Sequence, residues 1–302
     1  MLERMLVEKQ DTTKDQVNPL YKEKVHVAFL GWEVERIVRP ILEMRGNRLI
    51  LICFPQKDEK AWDYLEEIKR QLEAKGIPVE VIKESLYKLV ELLSVLNKIF
   101  QVERLKGNEI FINVSAGTKI SACASTIAAM STKDVTAYYV RMETYYPADN
   151  PAFKQADPLQ PLTTGFKDTY TLPECQITLP DQKYIKTLHA IKKMKDKGHA
   201  KVYIKDLIEF LKEQSVINVK RNKEPRKETS SEYMAIKAIM EKLVAWNYLT
   251  ISLKKRNRFV ELTEKGRNAI DMYLSFDLDE VALKENKNAS IVDWIGMLKK
   301  EE

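Results

Sequence analysis

The sequence predicts an α/β protein, a Rossmann-like parallel sheet followed by a winged helix-turn-helix domain. Three observations predict it. Five short β-branched runs alternate with four longer helical patterns across the first half. Residues 143–180 then carry six prolines and break that rhythm. Beyond them come three helical patterns and two alternating strands around a basic tip, the order of a winged helix. A chain of 302 residues is long enough for two such cores.

In order, "VHVAFLG" (25–31), "RLILICF" (48–54), "IPVEVI" (77–82), "EIFINV" (109–114) and "VTAYYV" (135–140) read as strands. They are apolar on both faces, so helices are expected to cover the sheet on each side. "EVERIVRPILEMR", "DEKAWDYLEEIKRQLEAKG", "SLYKLVELLSVLNKIFQVERLKG" and "TKISACASTIAAMS" have helical spacing and length. The proline-rich stretch reads as extended linker, with a short hairpin around "TGFKDTYTL". "DQKYIKTLHAIKKMKDKG" gives a helix ended by Gly198, "YIKDLIEFLKEQ" a second, and "SSEYMAIKAIMEKLVAWNYL" a third with serine as its N-cap. "LTISLKKRNRFVELTEKG" closes the winged part. The division is therefore 1–142 (sheet domain), 143–180 (linker or hairpin), 181–276 (winged domain) and 277–302 (acidic helical tail).

Charge is uneven along the chain. Residues 1–180 carry 24 basic and 25 acidic side chains, whereas 181–276 carry 22 and 12. That asymmetry fits nucleic acid bound by the second domain, or a lysine-rich solvated surface. Cys53, Cys123 and Cys175 lie far apart and form no CxxC, so reduced, buried thiols are expected. Three histidines without ligand spacing give a metal site little to be built from. No run approaches the roughly 18 apolar residues of a membrane span, and the charged start is unlike a signal peptide, so a cytoplasmic protein is expected.

The stretch that carries chemistry is "NVSAGTK", where the fourth strand ends and a helix begins. In open parallel sheets, ligands bind beyond the carboxyl ends of the strands. Ser115, Ala116, Gly117 and Thr118 would turn backbone N–H groups and hydroxyls toward one point at a helix N-terminus, and Lys119 would add a charge. A phosphate or another anion suits this turn. Alternatively the glycine only makes a tight turn, and the small residues after it let the helix pack closely. It is not a Walker A loop, which needs GxxxxGK[ST]. The first and fourth strands are expected to be neighbours, which places Gly31, Trp32 and Glu33 beside the turn. Trp32 offers a surface for a base or belongs to the core or a domain interface; Glu33 or Arg36 could reach a polar group.

With "NVSAGTK" after the fourth strand, a polar loop after the first, a linker and a C-terminal winged helix, the chain resembles the CARF (CRISPR-associated Rossmann fold) family over about residues 22–275. The architecture is similar to archaeal CARF winged-helix transcription regulators. The resemblance implies a homodimer binding a cyclic oligoadenylate, often the tetra-adenylate, across its twofold axis. It implies that Ser115, Gly117, Thr118 and Lys119 grip phosphate and that Gly31 and Trp32 form the first-strand loop of the site; from their positions Asn113, Ala116 and Glu33 are expected beside the ligand, and no cofactor or metal is expected. Many relatives carry a second glycine where this chain has Ala116.

For the winged domain, base-edge and phosphate contacts to double-stranded DNA are expected from Ser231, Tyr233 and Lys237 on the third helix, from Thr229 and Ser230 at its start, and from Arg226 ahead of it. Ala235, Ile236, Ile239, Met240, Leu243 and Val244 would form its apolar face. The hairpin tip adds Lys254, Lys255, Arg256 and Arg258, suited to phosphates or a minor groove, or forming an ordinary solvated turn. The leading reading is a ligand-responsive DNA-binding regulator. The alternatives are a metal-independent ring nuclease that uses Lys119 and Ser115 on the cyclic ligand, and a CARF effector that binds RNA or protein.

Overall fold

A computed structural model describes residues 22–56, 59–145, 159, 162–173, 175, 180–217, 225–254, 257–273 and 292–293. Six strands form one sheet in the order β3-β2-β1-β4-β5-β6. These are β1 (Lys24–Phe29), β2 (Arg48–Cys53), β3 (Val79–Lys83), β4 (Glu109–Asn113), β5 (Val135–Tyr145) and β6 (Thr163–Thr171). The first five run parallel, and β1 lies between β2 and β4, as expected. Strand order therefore reverses between β1 and β4, opening a crevice at their carboxyl ends.

Helices α1 (Glu35–Glu43), α2 (Glu59–Glu73), α3 (Leu89–Leu105) and α4 (Lys119–Ser131) cover both faces. Val25, Val27 and Phe29 of β1 face α3 and α4, while Ala28 and the following Leu30 face α1 and α2. A strand with no wet face explains why apolar residues occupy both of its sides, with His26 buried among them. Ala124 and Ala128 are buried in that α3/α4 layer, where their small side chains let α4 approach.

The stretch expected as linker holds a surprise. Residues Thr163–Thr171 form no local hairpin; they pair antiparallel along β5, from Tyr138↔Thr171 to Tyr145↔Thr163. β5 itself continues five residues beyond the "VTAYYV" run because "RMETY" finds this partner. Alternating exposure along β5 hid it, since its outer positions are polar or tyrosine.

The second domain orders α5 (Gln182–Asp196), β7 (Val202–Tyr203), α6 (Ile204–Glu213), α7 (Pro225–Ala245), β8 (Leu249–Lys254), β9 (Asn257–Leu262) and α8 (Glu264–Tyr273). β7, β9 and β8 make a small antiparallel sheet against four helices, a winged helix with one core from Ile185 to Ile270. α7 starts at Pro225 rather than at a serine cap, so Ser230 and Ser231 sit inside the helix. A proline at the first helical position costs nothing, because its missing N–H would be unpaired there anyway. Ile236, Ile239, Met240 and Leu243 are buried as expected, but Ala235 and Val244 are exposed.

The domains touch through α8 and α3. Met272 packs against the α3/α4 core, and Asn97 Nδ2 donates to the Met272 carbonyl at 3.3 Å. Among the described residues no helix is long and apolar enough to cross a membrane. Cys53 is buried; Cys123 and Cys175 are exposed free thiols, contrary to expectation, Cys123 because it lies on the outer side of α4.

Candidate functional site

The β4–α4 turn is built by hydrogen bonds that consume most of its own side chains. Thr118 is the N-cap of α4: its Oγ1 accepts from the Ser121 N–H at 3.1 Å, and Ser121 Oγ accepts from the Thr118 N–H at 2.8 Å. This reciprocal capping box satisfies two amides at the helix start. The same Thr118 hydroxyl donates to the Leu86 carbonyl at 2.8 Å and so ties the β3–α3 loop to the turn. Ser115 is likewise engaged. Its hydroxyl donates to Asn113 Oδ1 at 2.5 Å and accepts from the Val140 N–H at 3.1 Å, while its own N–H donates to Asn113 Oδ1 at 2.9 Å.

Asn113, fully buried, has a second task that begins in α1. Pro40 lies inside that helix and cannot donate to the Arg36 carbonyl, so the carbonyl lacks its usual partner. Asn113 Nδ2 fills the gap at 2.9 Å. Arg36 Nη1 in turn donates to the Ser115 carbonyl at 3.1 Å, and its Nε lies 2.6 Å from Glu33 Oε2. Burial raises the Glu33 pKa, opposed by Arg36 and by a hydrogen bond from Thr163. Glu33 and Arg36 are thus a buried pair that fastens the β1–α1 loop to the turn, with Arg36 also 5.6 Å from the Tyr145 ring centroid.

Gly117 adopts φ +86°, and a Cβ there would fall 2.5 Å from Phe29 Cβ and 2.7 Å from Ser121 Oγ. The core beneath excludes a side chain here, which agrees with the tight-turn alternative of the sequence. Gly31 meets the same turn, since its Cβ would lie 3.1 Å from the Gly117 nitrogen. Ala116 is buried against the α1/α2 side of the core.

What remains is backbone and charge. The N–H groups of Ala116, Gly117, Lys119 and Ile120 donate to no backbone carbonyl among the described residues. Lys119 and Ile120 are exposed, and Trp32 is 42% exposed on the facing loop. An α-helix N-terminus with open amides and an adjacent ammonium attracts anions.

In the winged half, Tyr233 on α7 and Arg258 on β9 share one surface, with Arg258 Nη1 donating to the Tyr233 hydroxyl at 3.0 Å. Lys237 is exposed and 3.7 Å from Glu241. Lys201, absent from the sequence reading, stands with its Nζ 4.0 Å above the Phe259 ring. The side chains of Arg226, Thr229, Ser230, Ser231 and Lys254, and all of Lys255 and Arg256, lie outside the described residues.

Residues 24–145 match the family model described as HFX_2341_N-like, N-terminal, and residues 184–273 match the DUF6293 C-terminal winged helix domain. The chain carries an HFX_2341_N-like N-terminal domain and a DUF6293 winged helix domain. It is also similar to the uncharacterized protein MJ1513 of Methanocaldococcus jannaschii, 28% identical over 127 residues that cover 39% of this chain and 38% of that one. The match therefore spans well under half of that relative. Among solved structures, protein VC1899 from Vibrio cholerae is 10% identical with TM-score 0.35, covering 84% of this chain and 65% of that one. Can2 from Sulfobacillus thermosulfidooxidans, solved with cyclic tetra-adenylate, is 12% identical with TM-score 0.33, covering 84% and 62%. Csm6 from Enterococcus italicus, bound to cyclic hexa-2'-fluoro-hexa-dAMP, is 12% identical with TM-score 0.34, covering 74% and 56%. Likenesses this distant carry no argument about this chain.

Within the HFX_2341_N-like domain, sequence reasoning missed Ser121, Leu86 and Pro40. Thr118 and Ser121, three apart at a helix start, have the spacing of a capping box, which was a usable signal. Nothing local announces that Leu86 accepts from Thr118, because 32 residues separate them. In the DUF6293 domain the Tyr233–Arg258 contact was equally hidden, joining a helix to a strand 25 residues away.

Proposed function

We propose that the protein is a ligand-responsive DNA-binding transcriptional regulator. Its N-terminal domain binds a cyclic oligoadenylate, cyclic tetra-adenylate being the first ring to test, and its winged domain binds double-stranded DNA as a homodimer. The observation that carries this is the β4–α4 turn at the β1/β4 crevice. Its hydroxyls are spent on building the turn, while four amides find no backbone acceptor among the described residues and Lys119 and Trp32 are exposed. Amides and an ammonium suit phosphate, and an exposed indole suits a base. A ring of identical nucleotides repeats that pair of demands, and a twofold dimer repeats the supply. The CARF resemblance of "NVSAGTK" supports a cyclic oligoadenylate as the ligand, and the match to a winged helix domain supports DNA binding by the second half.

The test is calorimetric titration of the full chain with cyclic tri-, tetra- and hexa-adenylate, for wild type and Lys119→Ala. A charge-assisted contact is worth roughly 1.5–3 kcal/mol. Lost twice across a dimer, it lowers affinity by at least about 100-fold. Equal binding by both proteins, or no binding by wild type, would sink the proposal. Mass spectrometry of the same incubations reads turnover; linear products that depend on Lys119 would make the site a ring nuclease. Retention of RNA instead of duplex DNA would replace the regulator by an RNA-binding effector.

A further inference from the structure

Tyr87 is 69% exposed, more than Trp32, although it follows a fully buried residue, Leu86. Large exposed aromatics that are also held in place are uncommon, because a free ring gains nothing from order. This ring is held: it lies 5.1 Å from the Phe54 ring, tilted by 40°. Phe54 follows β2 and Tyr87 follows β3, so both leave carboxyl ends of the parallel sheet, on the rim where the candidate site lies.

The chain path brings Tyr87 to the turn itself. The Leu86 carbonyl is 2.8 Å from Thr118 Oγ1. Tyr87 is the residue after Leu86 and Lys119 the residue after Thr118, and successive Cα atoms are only about 3.8 Å apart. The exposed ring and the ammonium are therefore each one residue away from a shared hydrogen bond. Gly31, the residue before Trp32, packs on Gly117 of the same turn. Both loops that carry an exposed aromatic, Tyr87 and Trp32, therefore touch the turn at the α4 N-terminus, each through the residue before its aromatic.

We propose that Tyr87, braced by Phe54, is a nucleobase-stacking residue of this site, so that the group attached to the gripped phosphate is a nucleoside. The inference rests on the ligand-binding reading above and adds a specific residue and a chemical demand. A bare anion needs no aromatic wall. A purine does, and stacking tolerates the ring geometry of any base.

The experiment compares binding of cyclic tetra-adenylate to the full-length wild type, Tyr87→Ala, Tyr87→Phe and Lys119→Ala by calorimetry. Stacking on an aromatic is worth roughly 1–3 kcal/mol per base; lost twice across the proposed dimer, it should weaken binding of the ring to Tyr87→Ala by at least about 25-fold. Tyr87→Phe keeps the ring and is expected within about twofold of wild type. The ring is exposed, so the alanine variant is expected to melt with wild type, and the thermal midpoint checks this. If wild type binds and Lys119→Ala weakens binding but Tyr87→Ala does not, only the stacking role is overturned. If Tyr87→Phe falls as far as Tyr87→Ala, the hydroxyl acts rather than the ring, and stacking is again overturned. If wild type binds no cyclic adenylate, the reading of the site fails and the stacking role with it.

Discussion

Gly117→Ala should destabilise the protein with no ligand present. At φ +86° an L residue meets the steric penalty of the left-handed region, on the order of 1–3 kcal/mol. The new Cβ must also fit where Phe29 Cβ stands 2.5 Å and Ser121 Oγ 2.7 Å away. Neither neighbour can give way easily. Phe29 is fully buried in the sheet, and Ser121 Oγ holds both the N–H and the carbonyl of Thr118. Overpacking of this kind costs about 1–3 kcal/mol, so the two effects sum to roughly 2–6 kcal/mol. For a unit of this size that is a fall in melting temperature of at least about 5 °C. Gly76→Ala is the matched control, because its φ is +73° but a Cβ there meets nothing within 4 Å. Differential scanning calorimetry of the ligand-free proteins should show Gly117→Ala clearly below Gly76→Ala. Coincident melts would refute the packing argument and return Gly117 to the ligand.

Two further outcomes follow from other parts of the molecule. His26 is buried beside Lys24, which holds its pKa down at about 4, burial being the larger cause. An unfolded histidine near 6.5 takes a proton that the folded one refuses, so stability should fall by about 3 kcal/mol between those values and level off below; His26→Gln should lack that slope in urea midpoints measured across pH. In the winged domain, a dimer neutralising roughly eight phosphates should bind DNA with a log–log salt slope of about −7; Arg258→Ala, removing one contact per subunit, should flatten it by nearly 2, and an unchanged slope would take Arg258 out of the interface.

The parallel sheet was legible because its strands are apolar on both faces and its helices keep their period, and both signals are local. The β1/β4 neighbourhood was legible because strand order in such sheets follows few patterns. β6 was not, since "TTGFKDTYT" alternates weakly amid prolines, and its partner is the outer half of β5, which ends 18 residues before β6 begins. At the site, the residue types were legible and their duties were not. Serine, threonine and asparagine at a strand end read equally as ligand donors or as a turn that binds itself, and the difference lies in partners such as Val140 and Leu86, remote in sequence. Gly117 shows the same limit: the sequence says that a side chain is excluded, and only the position of Phe29 says by what.

The Thr118–Leu86 hydrogen bond also bears on how one domain could inform the other. A ligand shifts an equilibrium only through its differential affinity for two states, so a ligand at the α4 N-terminus must change something that DNA also changes. The capping box joins Thr118 rigidly to α4, and its hydroxyl holds Leu86, three residues before α3 begins. Some way along α3, Asn97 donates to the Met272 carbonyl of α8, and Met272 itself packs into the α3/α4 layer. α8 in turn belongs to the winged core through Ala269 and Ile270, beside β9 with its exposed Arg258. A contiguous route of packed and hydrogen-bonded contacts thus runs from the turn through α3 to α8 without using the linker. That places the burden of communication on helix packing. The proline-rich stretch between the domains, where a sequence reader would look for a hinge, instead includes β6, which is fixed to the sheet.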